Sequence, residues 1–105
     1  MPVNDNRYIG HYGGDQWHRD SAYHQGTVWS WLLGPYVDAL VKTNCEKEKI
    51  NTIIASLRHH LNEACIGSVS EIFDADAPHH PRGCVAQAWS VAEWLRILKE
   101  HHLSE

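Results

Sequence analysis

Residues 28–42 form the stretch that most restricts how this chain can fold. The segment reads VWSWLLGPYVDALVK, and its apolar residues leave little polar surface on any side of a helix. A helix that is apolar nearly all round is buried on most sides. Thr27 is a suitable N-cap for this helix, and Pro35 predicts a kink because proline lacks a backbone N–H. Three short helices would struggle to bury this surface, so the segment requires neighbours on several sides.

Two further helices are predicted downstream, and they differ in how much of their surface is apolar. The second begins with capping-box spacing, Thr43 followed by Glu46, and then carries apolar residues at i, i+3 and i+4. This pattern predicts one packed face, with a stop near Gly67. Residues 83–99 carry apolar side chains on two faces, which predicts that the third helix has neighbours on more than one side.

The remaining segments are predicted to be loops. Residues 1–26 show no sustained hydrophobic period and contain four glycines, and such a long structureless lead is uncommon in a self-contained domain. We therefore interpret residues 1–26 as an irregular loop, 27–100 as helical and 101–105 as a frayed tail, within a single domain or a fragment. The predicted fold class is all-α, with about three helices and long polar loops.

Composition and charge exclude several classes of function. The net charge of −4 and the lack of a Lys/Arg cluster argue against nucleic-acid binding. Three cysteines without C-x-x-C spacing suggest reduced thiols instead of a disulfide framework. Adjacent histidines on a helix point in different directions, which makes them poor metal chelators. No apolar run approaches the roughly 18 residues of a membrane span, and the N-terminus lacks a signal-peptide pattern. We expect a cytoplasmic protein that binds no metal or other cofactor and no membrane.

Two polar loops lead into the helices and contain the candidate functional residues. The first includes His24 and Gln25, and the second, residues 66–82, includes Glu71 and Arg82. Loops held at the ends of a helical scaffold are common places for binding sites. Carboxylates beside aromatic rings suit carbohydrate binding, because an indole can contact the C–H face of a sugar while polar groups bind its hydroxyls. A solvated acidic loop is the alternative interpretation of the second loop.

Glu71 is the residue of that loop that is hardest to explain as a solvated surface group. Its neighbours Val69, Ile72 and Phe73 are apolar. A carboxyl group in apolar surroundings holds its proton more readily than one in water, which suits proton transfer. Glycoside hydrolysis uses two carboxyl groups that flank the scissile bond, so this setting is consistent with such chemistry without being specific for it.

Three stretches resemble one known family. RDSAYHQGTVWSWLLGPY, GSVSEIFDADAPHHPRGC and AQAWSVAEWLR are similar to the C-terminal end of the glycogen debranching enzymes, the amylo-α-1,6-glucosidase family. The resemblance covers about residues 7–98, in the same order and without large gaps. Ser30 departs from the family, which usually has proline between the two tryptophans. The resemblance implies the last part of an (α/α)6 barrel, with an active site at one end.

The resemblance also implies roles for individual residues. Glu71 would be the general base in an inverting hydrolysis of α-1,6-glucosidic branch points. The residues expected to contact the α-glucan or branched maltooligosaccharide are His24, Gln25, Arg82, Gln87 and Trp89. In the family, the general acid lies upstream of everything present here. We therefore expect the chain alone to be weakly active or inactive, and its surplus apolar surface to be covered by an upstream barrel segment or by self-association.

Other interpretations stay open. A non-catalytic glucan-binding or helical interaction module would explain the missing acid and the surplus apolar surface. A loosely ordered helical fragment would follow from the thin burial that a chain of this size permits. The structural alternative for His24 and Gln25 is that they tie their loop to the barrel rim. For Arg82 it is that the guanidinium orders the second loop around Asp74.

Overall fold

The computed structural model describes residues 1–103, which form helices and a small sheet. The α-helices are α1 (Gln16–Ala22), α2 (Leu33–Lys42), α3 (Lys47–His60) and α4 (Ala88–Glu100). The strands are β1 (Val28–Trp29), β2 (Ile72–Phe73) and β3 (Pro81–Arg82), and a 3₁₀ turn spans Ser30–Leu32. Most of the regular structure in this part of the chain is helical, so the all-α prediction holds in part, and the small sheet contradicts it. None of the helices within residues 1–103 has the length and apolar character of a membrane span.

The sheet connects three segments that are distant in sequence. Strand β2 lies in the centre and pairs antiparallel with β1 on one side and β3 on the other. The register places Trp29 opposite Ile72, and Ile72 opposite Arg82. The sheet therefore brings the first polar loop, the residues around Glu71 and the end of the second polar loop to one end of the molecule.

The first predicted helix begins later than expected, because Ser30 is tied to other parts of the chain. Its hydroxyl donates to the carbonyl oxygen of Ser70 at 2.6 Å and lies 2.9 Å from Ser90 Oγ. Trp29 is accordingly extended, and α2 starts only at Leu33. Pro35 then lies in the first turn of α2, where a backbone N–H has no helical acceptor, so the proline gives no reason for the predicted kink.

The helices α2, α3 and α4 pack around one hydrophobic core. Its buried members are Val37, Ile50, Ile54, Trp94, Ile97 and Leu103. Leu103 is only 6% exposed, and His101 Nε2 lies 2.7 Å from Asp38 Oδ1. The predicted frayed tail is therefore wrong for residues 101–103, while Ser104 and Glu105 lie outside the described residues.

Three helix boundaries also differ from the prediction. Thr43 donates from its hydroxyl to the carbonyl oxygen of Ala39 at 2.9 Å, so it closes α2 instead of capping α3. Helix α3 ends at His60, before Gly67. Helix α4 begins only at Ala88, because Gln87 is still extended and its N–H donates to the Val69 carbonyl oxygen. The segment predicted to be irregular contains α1, whose N-cap is Asp15: its carboxylate accepts a hydrogen bond from the His18 N–H at 3.0 Å.

Candidate active site

The carboxylate of Glu71 is held at both of its oxygens. Tyr23 donates its hydroxyl to Oε1 at 2.5 Å, and the Cys84 N–H donates to Oε2 at 3.0 Å. The Glu71 N–H in turn donates to the Cys84 carbonyl oxygen at 2.9 Å. Gly83, beside this pair, has a φ of +68°, and a Cβ there would collide with the Glu71 carboxylate. A glycine is therefore required next to the carboxylate for two independent reasons.

Tyr23 is a hydrogen-bond donor to Glu71 throughout the neutral pH range. Burial raises the pKa of Tyr23 to about 12, with the hydrogen bond to Glu71 and the negative charge of that carboxylate acting in the same direction. A phenol with this pKa keeps its proton at neutral pH. The phenol and the carboxylate therefore form a donor–acceptor pair with charge assistance, which is stronger than a hydrogen bond between neutral groups.

A row of aromatic rings runs alongside this carboxylate. The ring of Tyr23 packs edge-on against Trp29 at 4.7 Å between centroids, and His24 stacks on Trp29 at 5.4 Å with planes 4° apart. Trp89 contacts Trp29 at 6.2 Å and Trp31 at 6.1 Å. The ring of Trp89 is half-exposed and His24 is exposed, so the row offers ring surface to a ligand. Two of the predicted sugar-contacting residues, His24 and Trp89, thus belong to one cluster.

Backbone hydrogen bonds fix the positions of Gln25 and Gln87. Gln25 accepts a hydrogen bond at its carbonyl oxygen from the Ile9 N–H at 3.1 Å, and its N–H donates to Ala22 at 3.0 Å. Its Oε1 is buried and has no hydrogen-bond partner among residues 1–103. Gln87 is the N-cap residue of α4, and its N–H donates to the Val69 carbonyl oxygen at 2.9 Å. Both contacts tie loops to the scaffold, as the structural alternative for Gln25 predicts.

Arg82 is bound to Asp74. Its Nε and its terminal nitrogen both lie 3.0 Å from Asp74 Oδ2. Burial by itself would raise the pKa of Asp74, but hydrogen bonds from the Tyr12 N–H and from Arg82 outweigh it, so the pKa lies below its ordinary value. The Asp74 side chain also contacts His11 at 3.1 Å. This contact is the one that the structural alternative for Arg82 predicts, and a sugar contact by Arg82 stays a prediction.

Trp94 differs from the tryptophans of the aromatic row because it lies in the hydrophobic core. Its side chain is 7% exposed and packs among the buried residues of α2, α3 and α4. Trp29 and Trp31 belong to the segment that is predicted to be a helix buried on most sides, but they are only partly buried and belong to the aromatic row. The helical pattern does not distinguish these two environments, because Trp29 lies in a strand and Trp31 in the 3₁₀ turn.

One cluster within residues 1–103 has the ligand types of a cation site, and an internal cation already occupies it. Asp38, Glu100 and His101 place one ligand atom each within 4.8 Å of one another. The Arg96 guanidinium donates to Asp38 at 2.8 Å and to Glu100 at 2.6 Å. The hydrogen bonds from Arg96, followed by that from His101, lower the pKa of Asp38. The cluster is therefore an ion-pair network that joins α2 to α4.

Comparison with known proteins gives one match. Residues 1–96 match the family model described as amylo-alpha-1,6-glucosidase. No curated protein and no solved structure matches the chain significantly. The matched range contains Glu71, its two hydrogen-bond donors and the aromatic row, so the residues that the structure gathers at one end of the molecule all lie within the region shared with the family.

Proposed function

Because the chain belongs to the amylo-alpha-1,6-glucosidase family, we propose that it supplies the general base and part of the glucan pocket of a debranching glucosidase. The observation that carries the proposal is Glu71, whose two oxygens are fixed beside a row of partly exposed aromatic rings. A general base needs an acceptor oxygen at a fixed position within reach of the attacking water. The arrangement around Glu71 provides such an oxygen.

In this proposal Glu71 removes a proton from water as the water oxygen attacks the anomeric carbon. The bond from that carbon to the branch-point oxygen breaks, and the departing oxygen takes a proton from a general acid. In an inverting site the two carboxyl groups stand about 6.5–9.5 Å apart, which leaves room for the water. The resemblance to the family implies that this acid lies upstream of the residues present here, and Asp15 is used as the N-cap of α1. The chain alone is therefore expected to have little or no hydrolytic activity.

The sugar-contacting roles follow from exposure and from unused hydrogen-bonding groups. His24 and Trp89 present ring surface that suits the C–H face of a glucose unit. The Oε1 of Gln25 is buried and unpartnered among residues 1–103, so a hydrogen bond to a sugar hydroxyl requires rotation of this side chain. Gln87 lies at the start of the helix that carries Trp89. Arg82 contributes through its hold on Asp74 and has further N–H groups with which to donate.

The test is a two-dimensional amide NMR spectrum of the five indole N–H signals, recorded with and without an α-1,6-branched maltooligosaccharide. We expect the signals of Trp29 and Trp89 to move and the signal of buried Trp94 to stay in place. Trp17 is 72% exposed on α1 and is the matched control for non-specific contact with sugar. Shifts confined to Trp17, or no shift at millimolar sugar, would contradict a glucan pocket at this end of the molecule.

A second candidate, a non-catalytic helical module that binds a second copy of itself, is favoured by one surface. A groove of about 850 Å³ lies between residues 26–36, α3 and residues 73–79. Val28, Leu32 and Tyr36 line it and are each about half-exposed. Exposed apolar patches of this kind mark interfaces. Light scattering tests this candidate: concentration-dependent dimers that Leu32→Ser abolishes would support it, and a monomer at every concentration would contradict it.

A further inference from the structure

We propose that Tyr23 is a positioning residue that holds the Glu71 carboxylate in a single orientation, an inference that rests on the proposed role of Glu71 as the base. The two residues are 48 positions apart in sequence, and the hydroxyl meets Oε1 at 2.5 Å. The Cys84 N–H holds the other oxygen at 3.0 Å. Two donors on two oxygens define the plane of the carboxylate, which one donor would not do.

Tyr23 is suited to this role because it is itself held on several sides. Its carbonyl oxygen accepts hydrogen bonds from Thr27 Oγ1 at 2.6 Å and from the Trp29 indole at 3.2 Å. Its ring contacts Tyr12 at 5.7 Å, His24 at 4.9 Å and Trp29 at 4.7 Å between centroids. Its N–H caps the end of α1 by donating to the Arg19 carbonyl oxygen. The hydroxyl is therefore presented from a fixed ring, and not from a mobile side chain.

The two hydrogen bonds to Glu71 leave its carboxylate able to accept a proton from water. Each ionised carboxylate oxygen has two acceptor positions, and Tyr23 and Cys84 use one each. The remaining positions are available to a water molecule, whose proton passes to the carboxylate as the water oxygen attacks the sugar. Placement of a reacting group within a narrow range of angles is a large part of what an active site contributes to rate. Tyr23 touches neither water nor sugar in this scheme and acts through Glu71.

The structure also connects the base to the aromatic row through this same residue. Tyr23 packs against Trp29 and His24, which belong to the predicted glucan-binding surface. A sugar that stacks on the row therefore contacts rings that touch the residue holding the base. Tyr23→Phe keeps the ring and removes only the hydroxyl. We therefore expect this variant to preserve the sugar-induced shifts of Trp29 and Trp89 and to release the Glu71 side chain.

The experiment compares the full chain with Tyr23→Phe, and Tyr12→Phe is the matched control. Tyr12 also contacts the Tyr23 ring, but its hydroxyl has no hydrogen bond to any residue from 1 to 103. Proton NMR is expected to show a hydroxyl signal shifted far downfield in the unmodified chain and in Tyr12→Phe. The signal should be absent from Tyr23→Phe and shifted upfield in Glu71→Gln. Three-bond couplings should report one Glu71 rotamer in the unmodified chain and in Tyr12→Phe, and rotamer averaging in Tyr23→Phe.

Two outcomes would overturn the proposal: a single Glu71 rotamer in Tyr23→Phe, or the absence of the downfield signal from the unmodified chain. If Tyr23→Phe fails to fold, Glu71→Gln still tests the contact, because loss of the carboxylate charge must move the hydroxyl signal. The proposed function is tested separately by the indole shifts with branched maltooligosaccharide. Unmoved indoles together with a rigid, Tyr23-dependent Glu71 would reject the glucan pocket and keep the positioning contact.

Discussion

The two ends of α4 lie in regions that are stabilised in different ways. At its C-terminal end, Trp94 and Ile97 belong to a core of buried apolar side chains from α2, α3 and the end of the chain. At its N-terminal end, Trp89 is half-exposed and joins the aromatic row beside Glu71. We refer to these as the helical core and the Glu71 region. The helical core depends on apolar burial, whereas the Glu71 region depends on hydrogen bonds between distant loops.

This difference predicts different consequences of substitution in the two regions. Loss of apolar volume from the helical core should reduce the free energy of unfolding, because a cavity remains where the side chain was. Loss of a hydrogen-bonding group from the Glu71 region should mainly change the local geometry, since the net contribution of one hydrogen bond is about 0.5–1.5 kcal/mol. The predictions below test this contrast, from the largest expected effect to the smallest.

Ile97→Ala should have the largest effect on stability. Ile97 is 1% exposed in the helical core, and an isoleucine-to-alanine change at such a site lowers the free energy of unfolding by about 2–5 kcal/mol. Leu95→Ala is the control on the same helix, because Leu95 is 61% exposed and should change stability by less than about 0.5 kcal/mol. Urea denaturation followed by tryptophan fluorescence measures both. Equal losses in the two variants would contradict the placement of the core.

Asp74→Asn should have an intermediate effect that depends on pH. The pKa of Asp74 is lowered in the folded chain, so its ionised form contributes stability above the ordinary value of 3.8, and this contribution is lost as the pH falls through the folded pKa. At neutral pH we expect a loss of about 1–3 kcal/mol, because the buried Asp74 side chain loses the charge that pairs with the Arg82 guanidinium, which is itself 32% exposed. The difference between the variant and the unmodified chain should shrink below about pH 4.

Asp76→Asn is the control for that prediction, since Asp76 is exposed and accepts a hydrogen bond from the Tyr8 hydroxyl. Its replacement should cost less than that of Asp74 at neutral pH. Urea midpoints measured from pH 3 to pH 7 compare the two variants. A loss in Asp74→Asn that is the same at every pH would show that the Asp74 charge does not stabilise the loop.

Gly83→Ala and Gly67→Ala separate backbone strain from steric collision. Both glycines have positive φ, +68° and +74°, and forcing alanine into this region costs about 1–2 kcal/mol. A Cβ on Gly67 meets open space, whereas a Cβ on Gly83 collides with the Glu71 carboxylate. The Gly83 variant should therefore be the less stable of the two, and it alone should displace the Tyr23 hydroxyl signal in proton NMR. Identical behaviour would contradict the close approach at Glu71.

Glu71→Gln should have the smallest effect on stability and a clear effect on Tyr23. The pKa of Tyr23 is about 12 because of burial, the hydrogen bond to Glu71 and the Glu71 charge, so removal of the charge should lower it towards 10. Because a raised pKa means that the folded state holds its proton more tightly, the unmodified chain should lose stability between pH 10 and 12. Ultraviolet titration of tyrosinate measures the shift, and an unchanged titration would show that the pair does not form.

Part of this architecture follows from local patterns. The i, i+3, i+4 spacing of Ile50, Ile53, Ile54 and Leu57 predicts α3 with one packed face, and Ile50 and Ile54 are indeed buried. The three stretches that resemble the amylo-α-1,6-glucosidase family, in the same order as in that family, indicated the membership that the comparison then showed. Helix α1 was missed because it is short and largely polar, although Asp15 three residues before His18 is an N-cap signal that would have located its start.

The sequence by itself determined the helical character of most of α2, α3 and α4, because hydrophobic spacing is a local property. Only the tertiary structure decided that residues 28–29 form a strand, since Ser30 is bound to groups 40 and 60 positions away. The same holds for the contact of Tyr23 with Glu71, which spans 48 positions. Such contacts depend on how helices and loops pack against one another, and no local pattern records that packing. The candidate site is built from these long-range contacts, which is why Glu71, His24 and Trp89 could be named as candidates from the sequence while the hydrogen bonds of Glu71 with Tyr23 and Cys84 could not.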